Sequence, residues 1–586
     1  MFWADVYRAD VYRADVYRAD QRAWPLAVAG LLWVTGLAAQ PVAVAPPPPA
    51  STPLPAASAT PFDVLEFEIE GNTVLPVADI ERAVTPFLGP AGGMAQVDAA
   101  RTALERAYQQ AGYLTVFVDV PEQQVQGGVV RLVVLQGRVD RLRVLGSRYF
   151  SQGFIRDTVA ELAEGNTPNF NLVQRQLADL NRSDERSVQP VLRPGRLPGT
   201  VEVDLQVQDR LPAEASVELH NKHAAGTSET RLAATGRYNN LWQRGHSVGI
   251  TLSTAPQQPR ESQLLVLNYG VPLSAEANLA LYAVASDSLT EPLTAVSVAG
   301  KGVSLGLRYV RTLPGLDGFA HSLSLGVDFK DFQTQVGSGS GAAASKLLTP
   351  LRYLPFTLGH NAQWAGDGRS TSLNNQMVLA QHWLLARSVP CTGAGPADQF
   401  ACSASSTDGT FAYWRADWRH SRPLPLPAAG QVVLRLSGQF SPEPLVGNER
   451  FVLGGADSVR GYLEAEASGD RGLLASAEWR SNNLGGPKNG LGLSGLAELV
   501  AYGFADAGQT QVLNALAGQA RHSQLRGAGL GLQWRLGRQV GAAAAGLGGA
   551  QSGSVNGSVD LAWPLVATPA SPANKPRLHV RLAYTL

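Results

Sequence analysis

The sequence predicts an α+β chain in two parts: tandem small modules, then a membrane-spanning antiparallel β-barrel of about sixteen strands. Three observations carry this. Between Phe62 and Arg210 one order of elements, strand–helix–helix–strand–strand, occurs twice. Beyond Ala213 the helical period disappears, and strand-length segments alternate apolar and polar residues as far as Leu586. Of the 586 residues only 16% are charged, while glycine reaches 61, and past the N-terminus there is no apolar run long enough for a membrane helix.

The chain opens on a five-residue repeat, "ADVYRADVYRADVYRAD" (Ala4 to Asp20), whose period suits neither a solenoid nor a coiled coil. "WPLAVAGLLWVTGLAAQ" follows, with the length of a signal-peptide core and small residues Gly36 and Ala38 near its end. Residues 1–39 are therefore expected to be an n-region repeat and signal peptide, with export as the consequence. Residues 40–61 are a proline-rich linker, semi-rigid and without a core.

Residues 62–137 form the first expected module. "LEFEIEG" alternates Leu65, Phe67 and Ile69 against three glutamates, which marks a half-buried strand. "VADIERAV" and "QVDAARTALERAYQQAG" carry the helical period, with Val97, Leu104, Tyr108 and Ala111 on one face and Gly112 as the stop. "YLTVFVDV" and "GGVVRLVVLQG" complete the unit. Residues 138–212 repeat it with "VDRLRVLG", "FIRDTVAELAEG", "NLVQRQLADLNR", "SVQPVLRP" and "TVEVDLQVQ". Such modules offer sheet edges to which a peptide strand can be added, or they serve as spacers.

Residues 213–586 form the expected barrel. In "QVVLRLSGQF", Val432, Leu434, Leu436 and Phe440 oppose Val433, Arg435, Ser437 and Gln439. In "RLHVRLAYTL", Leu578, Val580, Leu582, Tyr584 and Leu586 oppose His579, Arg581, Ala583 and Thr585. Apolar residues facing out and polar residues facing in are the pattern of a barrel wall in lipid. A barrel of this size leaves an aqueous lumen unless something occupies it.

No enzyme is expected. "GLGLSG" (Gly490 to Gly495) has the letters of a dinucleotide loop but no helix after it, and His220 and His223, three apart, would point to opposite faces of a strand. No metal or cofactor is expected. Lys+Arg and Asp+Glu balance at 48 each, with no basic stripe, so no nucleic-acid partner is expected. Cys391 and Cys402 bracket "CTGAGPADQFAC" in an exported chain and suggest a loop disulfide.

Three stretches resemble a known family: "LERAYQQAGYLTVFVDVPEQQVQGGVVRLVVLQG", "LNRSDERSVQPVLRPGRLPGTVEVDLQV", and "FVLGGADSVRGY" (Phe451 to Tyr462) paired with "FADAG" (Phe504 to Gly508). They are similar to the outer-membrane transporters of two-partner secretion, the haemolysin secretion/activation proteins, within the barrel-assembly superfamily. The resemblance runs from about Phe62 to Leu586 and implies two periplasmic POTRA modules and a barrel. It implies a secreted exoprotein partner with an amino-terminal secretion domain, exported to the cell surface or medium, with haemolysin- or adhesin-type activation among the family's expectations. Outer-membrane lipid, and the barrel-assembly machinery during biogenesis, are the other partners it implies. An assembly factor of the same superfamily, or a passive pore, are the alternatives.

The resemblance further implies that a loop around 446–470 folds into the barrel, with Val459, Arg460, Gly461 and Tyr462 as a latch against Phe504, Asp506 and Gly508. Arginine's planar fork suits a carboxylate where bulk water is scarce. Tyr502, Phe504, Asp506 and Gly508 share one face of their strand, and a carboxylate is costly in lipid, so that face should look inward. Gly454 and Gly455, with Gly461, should let the loop pack tightly. The proline-rich 40–61 segment departs from the family in having no room for an amphipathic plug helix. Lumen residues Arg435, Gln439, Glu478 and Arg480 should give the client a polar path.

Overall fold

A computed structural model describes residues 62–292, 297–338, 345–391, 394–401, 407–425, 430–485, 496–515, 519–537 and 553–586. The signal-peptide and linker readings lie outside the described residues, as do the Gly490 to Gly495 stretch, the Cys391 side chain and Cys402. Two compact units divide after Arg210.

In the N-terminal unit, the first module has strand Glu66–Glu70, helices Val77–Val84 and Gly93–Gln110, and strands Val116–Asp119 and Val129–Gln136. The last strand runs between the other two, parallel to the first and antiparallel to the second. The periodic residues read as a helix face, Val97, Leu104 and Tyr108, pack on Val116, Val118, Val130, Leu132 and Val134. Burial raises the Tyr108 phenol to about 12, and its hydroxyl donates to Asn72 Oδ1 at 2.8 Å. The second module repeats the plan with strand Arg138–Leu145, helices Gln152–Thr158 and Phe170–Leu180, and strands Arg186–Pro194 and Thr200–Asp209. Here too the last strand is central.

One joint ties the modules together. Gly112 stops the long helix at φ +99°, and its carbonyl accepts from Phe170 N–H at 2.8 Å. Asn169 caps the helix that Phe170 begins and also donates from Nδ2 to Ala111 O at 3.0 Å. The end of one module's helix is thus fixed to the start of the other's.

In the C-terminal unit, described segments from Ala213–His220 to Arg577–Thr585 close into an antiparallel barrel. Seventeen segments are involved, but Ser345–Tyr353 and Pro355–Gly366 pair with successive halves of Phe319–Ser338 in one register. Pro355 has no N–H and interrupts the ladder there. Counted as one, they leave sixteen strands among the described residues. The first and last strands meet over five residue pairs, Ser216↔Thr585 to His220↔Arg581. The Asn221 side chain carries the seam further, accepting from Val580 N–H at 2.8 Å and donating to Leu578 O at 2.7 Å.

Alternation sorts the wall as the sequence predicts. Leu434, Leu436, Phe440, Leu578, Leu582 and Tyr584 are exposed outward, while Val433, Ser437, Gln439, His579 and Ala583 are buried inward. A water-soluble sandwich would bury the first set.

Candidate functional site

Between the eleventh strand, Gln431–Phe440, and the twelfth, Arg471–Arg480, the chain turns into the lumen. This inward loop pairs Phe451–Leu453 with Ala467–Gly469 as a short hairpin, and the VRGY stretch lies beyond it. Leu453, Val459 and Tyr462 are fully buried, and Arg460 is buried.

Arg460 meets the wall as expected, and more extensively. Its Nε and Nη2 donate to the two oxygens of Asp506 at 2.8 and 2.9 Å, and its backbone N–H donates to Asp506 Oδ2 at 3.2 Å. Nη1 reaches Glu478 Oε2 at 2.9 Å. The guanidinium carbon sits 3.4 Å from the centre of the Phe504 ring, so Phe504 supplies a π face beneath the cation. Asp506 also accepts from Ser476 Oγ at 2.7 Å, and Glu478 is bridged by Arg480 at 2.5 Å. One cation thus joins the twelfth strand to the thirteenth, Leu496–Gln511, from inside the lumen.

The neighbours of Arg460 complete the seat. Gly461 lies at φ +97°, where a Cβ would stand 2.8 Å from Pro564 N, and its N–H donates to His579 Nε2 at 3.2 Å. The Tyr462 hydroxyl donates toward Arg526 O at 2.9 Å and Val566 O at 2.8 Å, a position that also receives Val566 N–H at 3.1 Å. At Gly527, in the fourteenth strand His522–Leu536, a Cβ would lie 2.0 Å from Arg460 O. Gly508 leaves room for Leu453 and Val459 in the same way. Gly454 and Gly455 turn the loop with φ of +104° and +100°. Val459, Arg460, Gly461 and Tyr462 therefore lie against the inner wall, with Phe504, Asp506 and Gly508 at the contact.

Several participants were not expected as such. Glu478 was read as lumen lining, but it is the second acceptor of Arg460. Asp457 pairs with Lys222 at 2.8 Å, just past the first strand, and Glu464 N–H donates to His223 O at 3.1 Å. Tyr502 donates to Asp560, and Arg480 lies over the Tyr502 ring. The polar path expected from Arg435, Gln439, Glu478 and Arg480 needs correction. All four are engaged here: Arg435 with Asp417 and Asp457 O, Gln439 with Glu449 O and Asp470 O, and Glu478 with both arginines. Arg435, Gln439 and Glu478 hold the loop, because a buried polar side chain must find partners and the loop supplies them, while Arg480 braces Glu478 from the wall.

Comparison with known proteins places this geometry. Residues 62–137 match the profile of the POTRA domain, ShlB-type, and residues 360–534 match the haemolysin secretion/activation protein ShlB/FhaC/HecB. The outer membrane transporter CdiB of Escherichia coli O6:K15:H31 is 25% identical over 426 residues, covering 70% of this chain and 67% of the relative. The hemolysin transporter protein ShlB of Serratia marcescens is 23% identical over 454 residues, 75% of each chain. Among solved structures, CdiB from Escherichia coli aligns with a TM-score of 0.56 at 19% identity, covering 92% of this chain and 93% of that one. BamA from Haemophilus ducreyi lacking POTRA domains 1–3 aligns at 0.51 and 15% identity, covering 90% of this chain and 100% of that one. With two modules ahead of a sixteen-strand barrel and an arginine loop seated in its lumen, the chain is similar in sequence and architecture to the ShlB/FhaC/HecB two-partner secretion outer-membrane transporters.

Proposed function

We propose that this protein sits in the outer membrane with its POTRA modules in the periplasm, captures one exoprotein there, and passes it through the barrel. The observation that carries this reading is the lumen itself. It is occupied by a loop whose tip is held by one buried arginine between a carboxylate of the twelfth strand and one of the thirteenth. A passive pore has no use for a releasable occupant, whereas a dedicated exporter needs a lumen that stays closed until the client engages.

Capture would begin at the modules, where the client's amino-terminal secretion domain adds a strand to a sheet edge. The second module covers its edges. Glu164 and Arg156 bind the N–H and carbonyl of Leu142 on one side, and Asn181 binds both groups of Val188 on the other. Pro190 and Pro194 further blunt that second edge. In the first module the edge Glu66–Glu70 has no such cover among the described residues, which favours it as the acceptor. Translocation of an extended chain would then be drawn outward by folding at the surface, since a process that favours one side of an equilibrium shifts it.

The test is deletion of the gene in its host, with quantitative comparison of the culture-medium and outer-membrane proteomes. Loss of one large exported or surface protein, with other barrels unchanged, is the expected result. A broad fall in outer-membrane barrels would instead identify an assembly factor.

A further inference from the structure

The loop is also fixed at its base, on strands other than the two that hold Arg460. Glu449, at the end of the short turn Gly447–Glu449, is 3% exposed. Its Oε1 receives Lys330 Nζ from the seventh strand and the Tyr353 hydroxyl, at 2.8 Å, from the eighth. Its Oε2 receives the Tyr413 hydroxyl, at 2.7 Å, from the tenth strand, Phe411–Pro423. The backbone carbonyl of Glu449 accepts from Gln439 Nε2 at 3.0 Å. At the loop's other end Asp470 is fully buried and accepts from Leu445 N–H at 2.9 Å, Leu513 N–H at 2.7 Å and Arg450 Nε at 3.1 Å. A carboxylate so deeply desolvated persists only when its acceptor capacity is filled: strand side chains fill that of Glu449, while Asp470 is filled by Leu445 and Arg450 of the loop's own ends together with Leu513.

Base and tip bury apolar surface differently. At the base, Leu445 and Val446 pack among wall residues that include Phe332, Tyr353, Phe411 and Tyr413. At the tip, five of the seven clustered residues, Phe451, Leu453, Val459, Tyr462 and Ala467, belong to the loop itself, and only Leu474 and Leu525 come from strands. Moving the tip would leave most of its own core intact and break chiefly polar contacts. Moving the base would strip apolar side chains from the wall and strand the Glu449 charge.

We propose that Glu449 is the positioning residue of the inward loop: it holds the base on strands seven to ten while residues 450–469 turn about it as one body. Release of Arg460 then opens the lumen beside strands twelve to sixteen and the first strand, and the opposite arc stays covered. This rests on Arg460 acting as a releasable latch.

The experiment uses the full-length transporter in planar lipid bilayers with potassium chloride as the permeant probe, in a background where Cys391 and Cys402 are serine. One cysteine pair, Glu449→Cys with Tyr413→Cys, replaces the base contact. A second, Lys222→Cys with Asp457→Cys, lies beside the tip. Each is bridged with a reversible bifunctional thiol reagent, and bridging is verified by mass. The unbridged base pair should change the frequency and duration of openings, and bridging it should restore wild-type behaviour. Bridging the tip pair should suppress openings by on the order of tenfold or more, and reduction should restore them. If the bridged base also suppresses openings, the loop leaves as a whole and the pivot is wrong. If the unbridged base pair gates like wild type, Glu449 positions nothing. If the bridged tip gates normally, the latch reading itself fails, whatever the base does.

Discussion

Arg460→Ala probes the latch most directly, and the structure sets its size. The substitution removes the bidentate pair to Asp506, the bond to Glu478 and the contact with the Phe504 ring. Asp506 keeps Ser476, and Glu478 keeps Arg480, so the second carboxylate is partly compensated and the first is not. Breaking one side of a buried pair costs about 3–5 kcal/mol, chiefly because the remaining charge is stranded. At about 1.4 kcal/mol per tenfold, the inward state of the tip should lose roughly two to nearly four orders of magnitude relative to the outward state. Single-channel recording should show more frequent or longer openings at rest. Client export should fall although the barrel still inserts, because a loop that no longer returns cannot reset the lumen. Arg460→Lys keeps the charge but not the fork, and should fall between. Unchanged gating together with full export in Arg460→Ala would remove the latch from the mechanism.

Three further outcomes are expected. Gly527→Ala places a Cβ against Arg460 O without altering any charge, so its openings should shift in the same direction as those of Arg460→Ala; wild-type gating would show that the tip tolerates displacement. Deleting residues 62–137 while keeping the export signal should abolish client capture and preserve ion conductance, and retained secretion would refute docking on the first module. Cys391 and Cys402 should resist maleimide labelling in the folded, exported protein and react after reduction, and labelling without reductant would exclude the disulfide.

The fold was legible because both halves carry strong periodicities. Val97, Leu104 and Tyr108 repeat on a helix face, and Leu578, Leu582 and Tyr584 alternate with His579 and Ala583, so element type and wall face follow from spacing alone. Arg460 and Asp506 stood out through the VRGY and FADAG stretches that carry the resemblance, and Asp506 is also a lone charge among alanine, glycine and aromatic residues. Alternation reports which face a side chain takes but not which residues meet across a closed lumen. Glu478 was therefore recognised as inward-facing and not as a partner of Arg460. That partnership depends on the register Ser476↔Asp506 and Glu478↔Phe504 between strands twelve and thirteen, which sets both carboxylates beside one guanidinium.

Loop residues have no period at all, which is why Glu449, Asp457 and Asp470 escaped notice. One signal was available. The loop from 446 to 470 carries five acidic residues, Glu449, Asp457 and Asp470 among them, and a carboxylate that folding places against the wall must find its counter-groups elsewhere in the chain. Lys330, Lys222 and Arg450 meet that need, two of them from sites more than a hundred residues away in sequence. Such distant pairings determine where the loop sits but leave no local trace. The same logic explains why the lumen residues did not amount to an open path. Inward-facing Arg435, Gln439 and Glu478 would be solvated in an empty barrel, and the loop that fills it substitutes its own carbonyls and charges for that water. A client strand entering the lumen would meet the same side chains and could satisfy them in turn. Displacing the loop would then exchange one set of partners for another, and the energetic barrier to export would lie chiefly in stranding Asp506 while the exchange takes place.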